Sequence, residues 1–154
     1  MLRSKLARAA GVLASVAALA AVTQTPASAA TVNWNTSPPN LGNSICSSST
    51  VLDQTNAQLF TCMTWGGGQV QSFTIGMNNQ SSAVLFPAVT TGVTLNSAAT
   101  NHCAALALPA NESRFCAGPK LALTSGTCTS MFAFTQYTWF SGQVRWGPSR
   151  ELCA

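Results

Sequence analysis

Six cysteines, Cys46, Cys62, Cys103, Cys116, Cys128 and Cys153, constrain this chain more than any other feature. An even count in an exported protein reads as three disulfides. Many pairings are open to six cysteines. Pairing of sequence neighbours, Cys46–Cys62, Cys103–Cys116 and Cys128–Cys153, is the expectation. Each bridge should contribute on the order of 3 kcal/mol, mainly by restricting the unfolded chain. Zinc ligation is the competing chemistry. It is disfavoured because the chain has no Cys-x-x-Cys pair and only one histidine, His102.

Export is itself legible. Arg3, Lys5 and Arg8 precede an apolar run of 14 residues, Ala9 to Val22, followed by Pro26 and the small residues Ala27-Ser28-Ala29. This is the pattern of a cleaved secretory signal peptide, residues 1–29. Such a run is too short for the roughly 30 Å hydrocarbon core of a bilayer, so no stable membrane insertion is expected after cleavage.

Removing the leader takes three of the seven cations with it. Arg114, Lys120, Arg145 and Arg150 remain against Asp53, Glu112 and Glu151, a formal net charge of +1. Phosphate backbones are bound by clustered positive charge, so nucleic acid is not an expected partner. Ser, Thr, Asn and Gln supply 47 of the 125 residues from Ala30 to Ala154. Solubility therefore rests on neutral hydrogen-bonding groups.

The residues of common catalytic sites are scarce. A serine hydrolase needs a histidine to take the hydroxyl proton and an acid to orient it. A glycosidase needs two carboxyl groups facing one bond. His102 is the single histidine, Asp53 the single aspartate, and Asp53, Glu112 and Glu151 stand in unrelated contexts. Gly66-Gly67-Gly68 lacks the Lys-Ser/Thr and following helix of a phosphate loop, so it reads as a turn. The expectation is a protein that is not an enzyme and uses no cofactor.

Along the mature chain, residues 30–58 read as a polar extended N-terminal arm and residues 59–154 as one β domain. Leu59 to Trp65 is strand-like, and Gln69 to Met77 alternates, with Phe73, Ile75 and Met77 on one face and Ser72 and Thr74 on the other. Ala83 to Val89 contains Pro87, a sign of an edge or bulge. Cys103 to Gly118 reads as two strands about a Pro-Ala-Asn turn, with Ala104 to Leu108 open to a helical turn instead. Short strands separated by Gly, Pro, Asn and Ser turns predict an all-β, disulfide-stabilised antiparallel β-sandwich.

Two segments, "VQSFTIGMNNQSSAV" and "LALPANESRFC", resemble immunoglobulin-like sandwich modules of secreted bacterial proteins, in which an Asn-rich turn follows one strand and a short Asn-x-Ser corner precedes another. The whole chain resembles small uncharacterised secreted actinobacterial proteins. The resemblance implies an immunoglobulin-like fold and no particular site.

Function turns on "YTWFSGQVRW", Tyr137 to Trp146. If Ser141-Gly142 is a two-residue turn, Tyr137 opposes Trp146 and Trp139 opposes Val144, and all four share one face. That face is either core or an exposed aromatic strip. Polar Gln136, Thr138, Gln143 and Arg145 opposite it favour core. An exposed strip would make Tyr137, Trp139 and Trp146 candidate ligand-binding residues for an extracellular glycan or protein. A secreted protease inhibitor is the alternative, with Met63 beside Cys62 or Arg114 near Cys116 on a disulfide-anchored loop.

Protein recovered from the medium of an expressing bacterial host should begin at Ala30 or Thr31. An intact mass that includes the first 29 residues would contradict the leader assignment.

Overall fold

The computed structural model describes residues 29–52, 55–94, 99–137 and 143–154. Residues 1–28, where a signal segment is expected, Asp53, Trp139 and the Ser141-Gly142 pair lie outside them. The described residues contain twelve strands and no helix. In chain order these are β1 (Ala30–Val32), β2 (Asn43–Cys46), β3 (Thr50–Val51), β4 (Gln58–Gly66), β5 (Gln69–Met77) and β6 (Val84–Phe86). They continue with β7 (Val89–Thr94), β8 (Ala99–Cys103), β9 (Leu106–Leu108), β10 (Ser113–Ala122), β11 (Cys128–Tyr137) and β12 (Gln143–Cys153).

Turn chemistry explains the best-defined hairpin. Gly67 and Gly68 have φ of 56° and 70°. Two left-handed residues in a row make the turn whose twist matches that of the flanking strands, and glycine adopts it without strain. The ladder then runs from Gly66 opposite Gln69 to Gln58 opposite Met77. Pro87 has no N–H to give to a ladder, and it falls between β6 and β7. Leu106 to Leu108 pairs with β6 as a strand, not a helical turn.

One sheet has the order β1-β8-β7-β11-β12, the other β10-β5-β4-β2 with β3 also on β4, and β6 and β9 form a separate ribbon. Among the described residues, only β1 with β8 is a parallel pair. Residues 30–58 are therefore not an arm outside the domain. They add β1 to the first sheet and β2 and β3 to the second.

The two sheets face each other across a polar seam. On β5 the predicted alternation is present, but Ser72 and Thr74 point at the other sheet. The Thr74 hydroxyl lies 2.6 Å from that of Thr135 on β11. Thr61 of β4 donates to the same Thr135 oxygen at 2.9 Å, and Thr91 of β7 donates to Ser72 at 3.2 Å. All five side chains are buried. Each hydroxyl hydrogen and lone pair taken from water needs such a partner. An apolar cluster lies on each side of the seam. One contains Leu59, Phe86, Val89, Leu108 and Tyr137; the other contains Met63, Val70, Val93, Met131 and Leu152. Phe73 is buried on the outer side of β5, opposite Cys62 in the ladder.

The cystines pair as sequence neighbours: Cys46–Cys62, Cys103–Cys116 and Cys128–Cys153. Cys46 and Cys62 are directly opposed on β2 and β4, and Cys128 and Cys153 on β11 and β12. Cys103 and Cys116 are fully buried and join β8 of the first sheet to β10 of the second. Buried Asn78 ties the two segments quoted above, donating to the carbonyls of Ser82 at 2.9 Å and Leu108 at 3.0 Å.

Replacing Thr135 with Val keeps the shape but strands the Thr61 and Thr74 hydroxyls. Stability should fall by about 1–3 kcal/mol for each group left unpaired. The triple variant Thr61→Val, Thr74→Val, Thr135→Val removes the whole cluster and should be no less stable than Thr135→Val alone. Urea denaturation of both proteins checks the order.

Candidate binding face

The β11–β12 hairpin decides which aromatic side chains meet solvent. Tyr137 pairs with Gln143, Gln136 with Val144, Thr135 with Arg145 and Phe134 with Trp146. The turn expected at Ser141-Gly142 lies outside the described residues. The register differs by three residues from the expected one. An odd shift exchanges faces, because side chains alternate with a period of two. Tyr137 and Trp146 therefore lie on opposite sides of the sheet.

Tyr137 belongs to the core. It is 6% exposed, packs in the cluster with Leu59 and Phe86, and its hydroxyl donates to Gln143 Oε1 at 2.7 Å. It is not available to a ligand, which corrects the expectation for that residue. Trp146 is 65% exposed on the outer face. Trp139 lies outside the described residues.

Two features place Trp146. The ladder shifts between Phe132 and Phe134, where Gly147 and Pro148 sit on β12. Proline is tolerated here because β12 is the edge strand and its N–H is not needed. Gly147 allows close approach to the second sheet, since a Cβ there would lie 2.4 Å from Thr61 Cγ2. A bulge of this kind bends the strand and re-aims the adjacent side chain. Trp146 accordingly leans over Phe134, with ring centroids 6.0 Å apart and planes at 56°.

Phe134 points outward yet is only 8% exposed. Trp146 covers it from one neighbouring strand, and on the other side it lies against Gly92 of β7. A Cβ on Gly92 would come 3.0 Å from Phe134 Cε1 and 2.5 Å from the Ala99 carbonyl oxygen. Phe132, 43% exposed, shares the face. Phe132, Trp146, Gly147 and Ser149 line an open groove of about 580 Å³.

Polar groups continue the face across the sheet. Gln136 is opposite Thr90, Thr90 is opposite His102, and Thr90 Oγ1 is 3.1 Å from His102 Nδ1. Basic side chains point elsewhere. Arg145 shares the inner side with Thr135, and its Nη2 donates to Gln143 Oε1 at 3.3 Å. Arg150 sits 4.8 Å over the Trp65 ring, an attraction between cation and ring quadrupole. Among the described residues no three His, Cys, Asp or Glu side chains converge as metal ligands would.

Neither residue expected on an inhibitory loop is placed to act on one. Met63 is fully buried within β4, between the sheets. Arg114 is in β10, opposite Gly76, and forms an ion pair with Glu112. A protease reads an exposed, extended loop, and both side chains are held in sheet ladders instead. Phe132, Phe134 and Gly92 were not among the expected site residues. Gly147-Pro148 within a strand was the available signal, since that pair marks a bulge on an edge.

No family model, curated protein or solved structure matches this chain.

Gly92→Ala should displace the Phe134 ring and the support beneath Trp146. The expected loss is about 1–3 kcal/mol, the usual range for overpacking. Chemical denaturation measures it, and a wild-type midpoint would show that the Gly92–Phe134 contact is not tight.

Proposed function

We propose that this protein is a secreted, non-catalytic glycan-binding module with an immunoglobulin-like sandwich fold. The carrying observation is Trp146, 65% exposed on a sheet face and backed by a buried aromatic ring. Trp146, Val144 and Phe132 are exposed together on this face, and a contiguous apolar patch of that kind marks an interaction site where a lone exposed residue would not. The C–H face of a sugar ring is apolar and weakly positive, and an aromatic face carries the negative side of its quadrupole. The open groove beside Trp146 suits a ligand that lies along the surface.

The other parts of the reading have separate support. Three disulfides form and persist in oxidising compartments, consistent with export past the expected 1–29 leader. No helix among the described residues is long and apolar enough to cross a membrane. A buried cystine joining two facing sheets supports the immunoglobulin-like arrangement. A non-catalytic role is supported by where the two described acids and the histidine lie. Glu112 is paired with Arg114 beside the second sheet, Glu151 is on β12, and His102 contacts Thr90.

Retention on insoluble chitin, cellulose and purified cell wall tests the reading. The wild type should be retained on at least one matrix, and Trp146→Ala should weaken that retention at least tenfold, as for a central aromatic anchor. Passage through all three matrices no later than a control protein would remove the proposal.

A further inference from the structure

We propose that the ligand is an extended uncharged glycan that crosses the strands of the first sheet, with Gln136, Thr90 and His102 as its hydrogen-bonding flank. This rests on the glycan reading of Trp146 and specifies the chain it takes and the residues that hold it.

The register sets out two rows on one face. The first runs Trp146, Phe134, Gly92, Thr100 across β12, β11, β7 and β8. The second, one step along the strands, runs Val144, Gln136, Thr90, His102 across the same four strands. Neighbouring strands are about 4.8 Å apart, so each row spans roughly 14 Å. Same-face residues along a strand are separated by about 6.8 Å. The first row is a low apolar floor, because Gly92 has no side chain and Phe134 fills the space beside it. The second row is half-exposed and polar from Gln136 onward.

A sugar chain presents that same division. Its ring faces are apolar and its rim carries hydroxyls. With a ring face on Trp146 and the floor beyond it, the rim on one side meets the second row. Gln136 offers an amide oxygen and two N–H donors, and the His102 ring offers Nε2 while Nδ1 is engaged with Thr90. A single sugar over Trp146 covers little more than one strand interval. Only a longer chain extends to Thr90 and His102.

Charge selects the chemical class. No Lys or Arg shares either row. The acid on this face is Glu151, opposite Ser130 toward the Cys128–Cys153 end. A polyanionic glycan would meet no cation and one repelling carboxylate, whereas a neutral glycan loses nothing.

Titration calorimetry on the exported protein tests this, using neutral β-1,4-linked glucose and N-acetylglucosamine oligomers from disaccharide to hexasaccharide. Wild-type affinity should rise with length. His102→Ala should weaken hexasaccharide binding about tenfold, within the effect of losing a buried hydrogen bond, and leave the disaccharide unchanged, whereas Gln136→Ala, one strand from Trp146, should weaken both. Trp146→Ala should weaken both. In the wild type, the backbone amide shift at His102, three strands from Trp146, should move with hexasaccharide but not with disaccharide, a readout independent of how the variants fold. Length-independent affinity with shifts confined to Trp146 and Phe132 would overturn the crossing chain and leave the glycan reading standing. Tighter binding of a polyuronate than of any neutral oligomer would overturn the uncharged class. Absence of binding to every oligomer and to the insoluble matrices would remove both proposals.

Discussion

The Thr135 hydroxyl, shared between Thr61 and Thr74, is the contact on which the rest of the architecture depends. Three hydroxyls buried between sheets are tolerable only if they find one another. That requirement turns Thr135 inward and sets β11 in one orientation. Met131, Ala133 and Tyr137 then also point inward, where all are buried. Phe132, Phe134 and Gln136 point out by the same alternation. The aromatic face is thus the reverse side of a polar contact in the core. The close approach at Gly147 belongs to the same constraint, because a side chain there would strike Thr61.

The cystines divide the task of holding this arrangement. Cys103–Cys116 fastens one sheet to the other within an apolar cluster. Cys128–Cys153 closes the far end of the hairpin that carries Trp146. An edge strand is otherwise the least restrained part of a sheet. The cystine pins its end and the bulge interrupts its middle, which restrains the strand around Trp146. For the proposed glycan binding, such restraint lowers the cost in lost side-chain freedom. A chain with so few charged side chains has little else with which to stiffen an edge. The one ion pair among the described residues, Arg114 with Glu112, lies elsewhere.

The exposed face carries little charge, as does the protein as a whole. On the proposed glycan reading, recognition there rests on ring stacking and neutral hydrogen bonds, which are weakly screened by salt compared with surface ion pairs. Such a surface suits an uncharged ligand in a medium of variable ionic strength.

Local chemistry in the sequence determined the strands and their nearest connections. The paired glycines dictated the β4–β5 turn, the alternation from Gln69 to Met77 dictated a strand, and the even number of cysteines pointed to three cystines, whose pairing between sequence neighbours the strand pairing and sheet packing decided. Alternation says which residues share a face, but not which face is inside. On β5 apolar content pointed to Phe73, Ile75 and Met77, and the partner hydroxyls on β7 and β11 chose Ser72 and Thr74. Residues 30–58 looked like an arm because two- to four-residue strands carry no periodic signal of their own, and pairing with β4 and β8 makes them strands. The fate of Tyr137 and Trp146 was likewise beyond local reading. Their facing depends on whether the register between β11 and β12 is odd or even, and long-range packing of Thr135 and the bulge at Gly147 set that register.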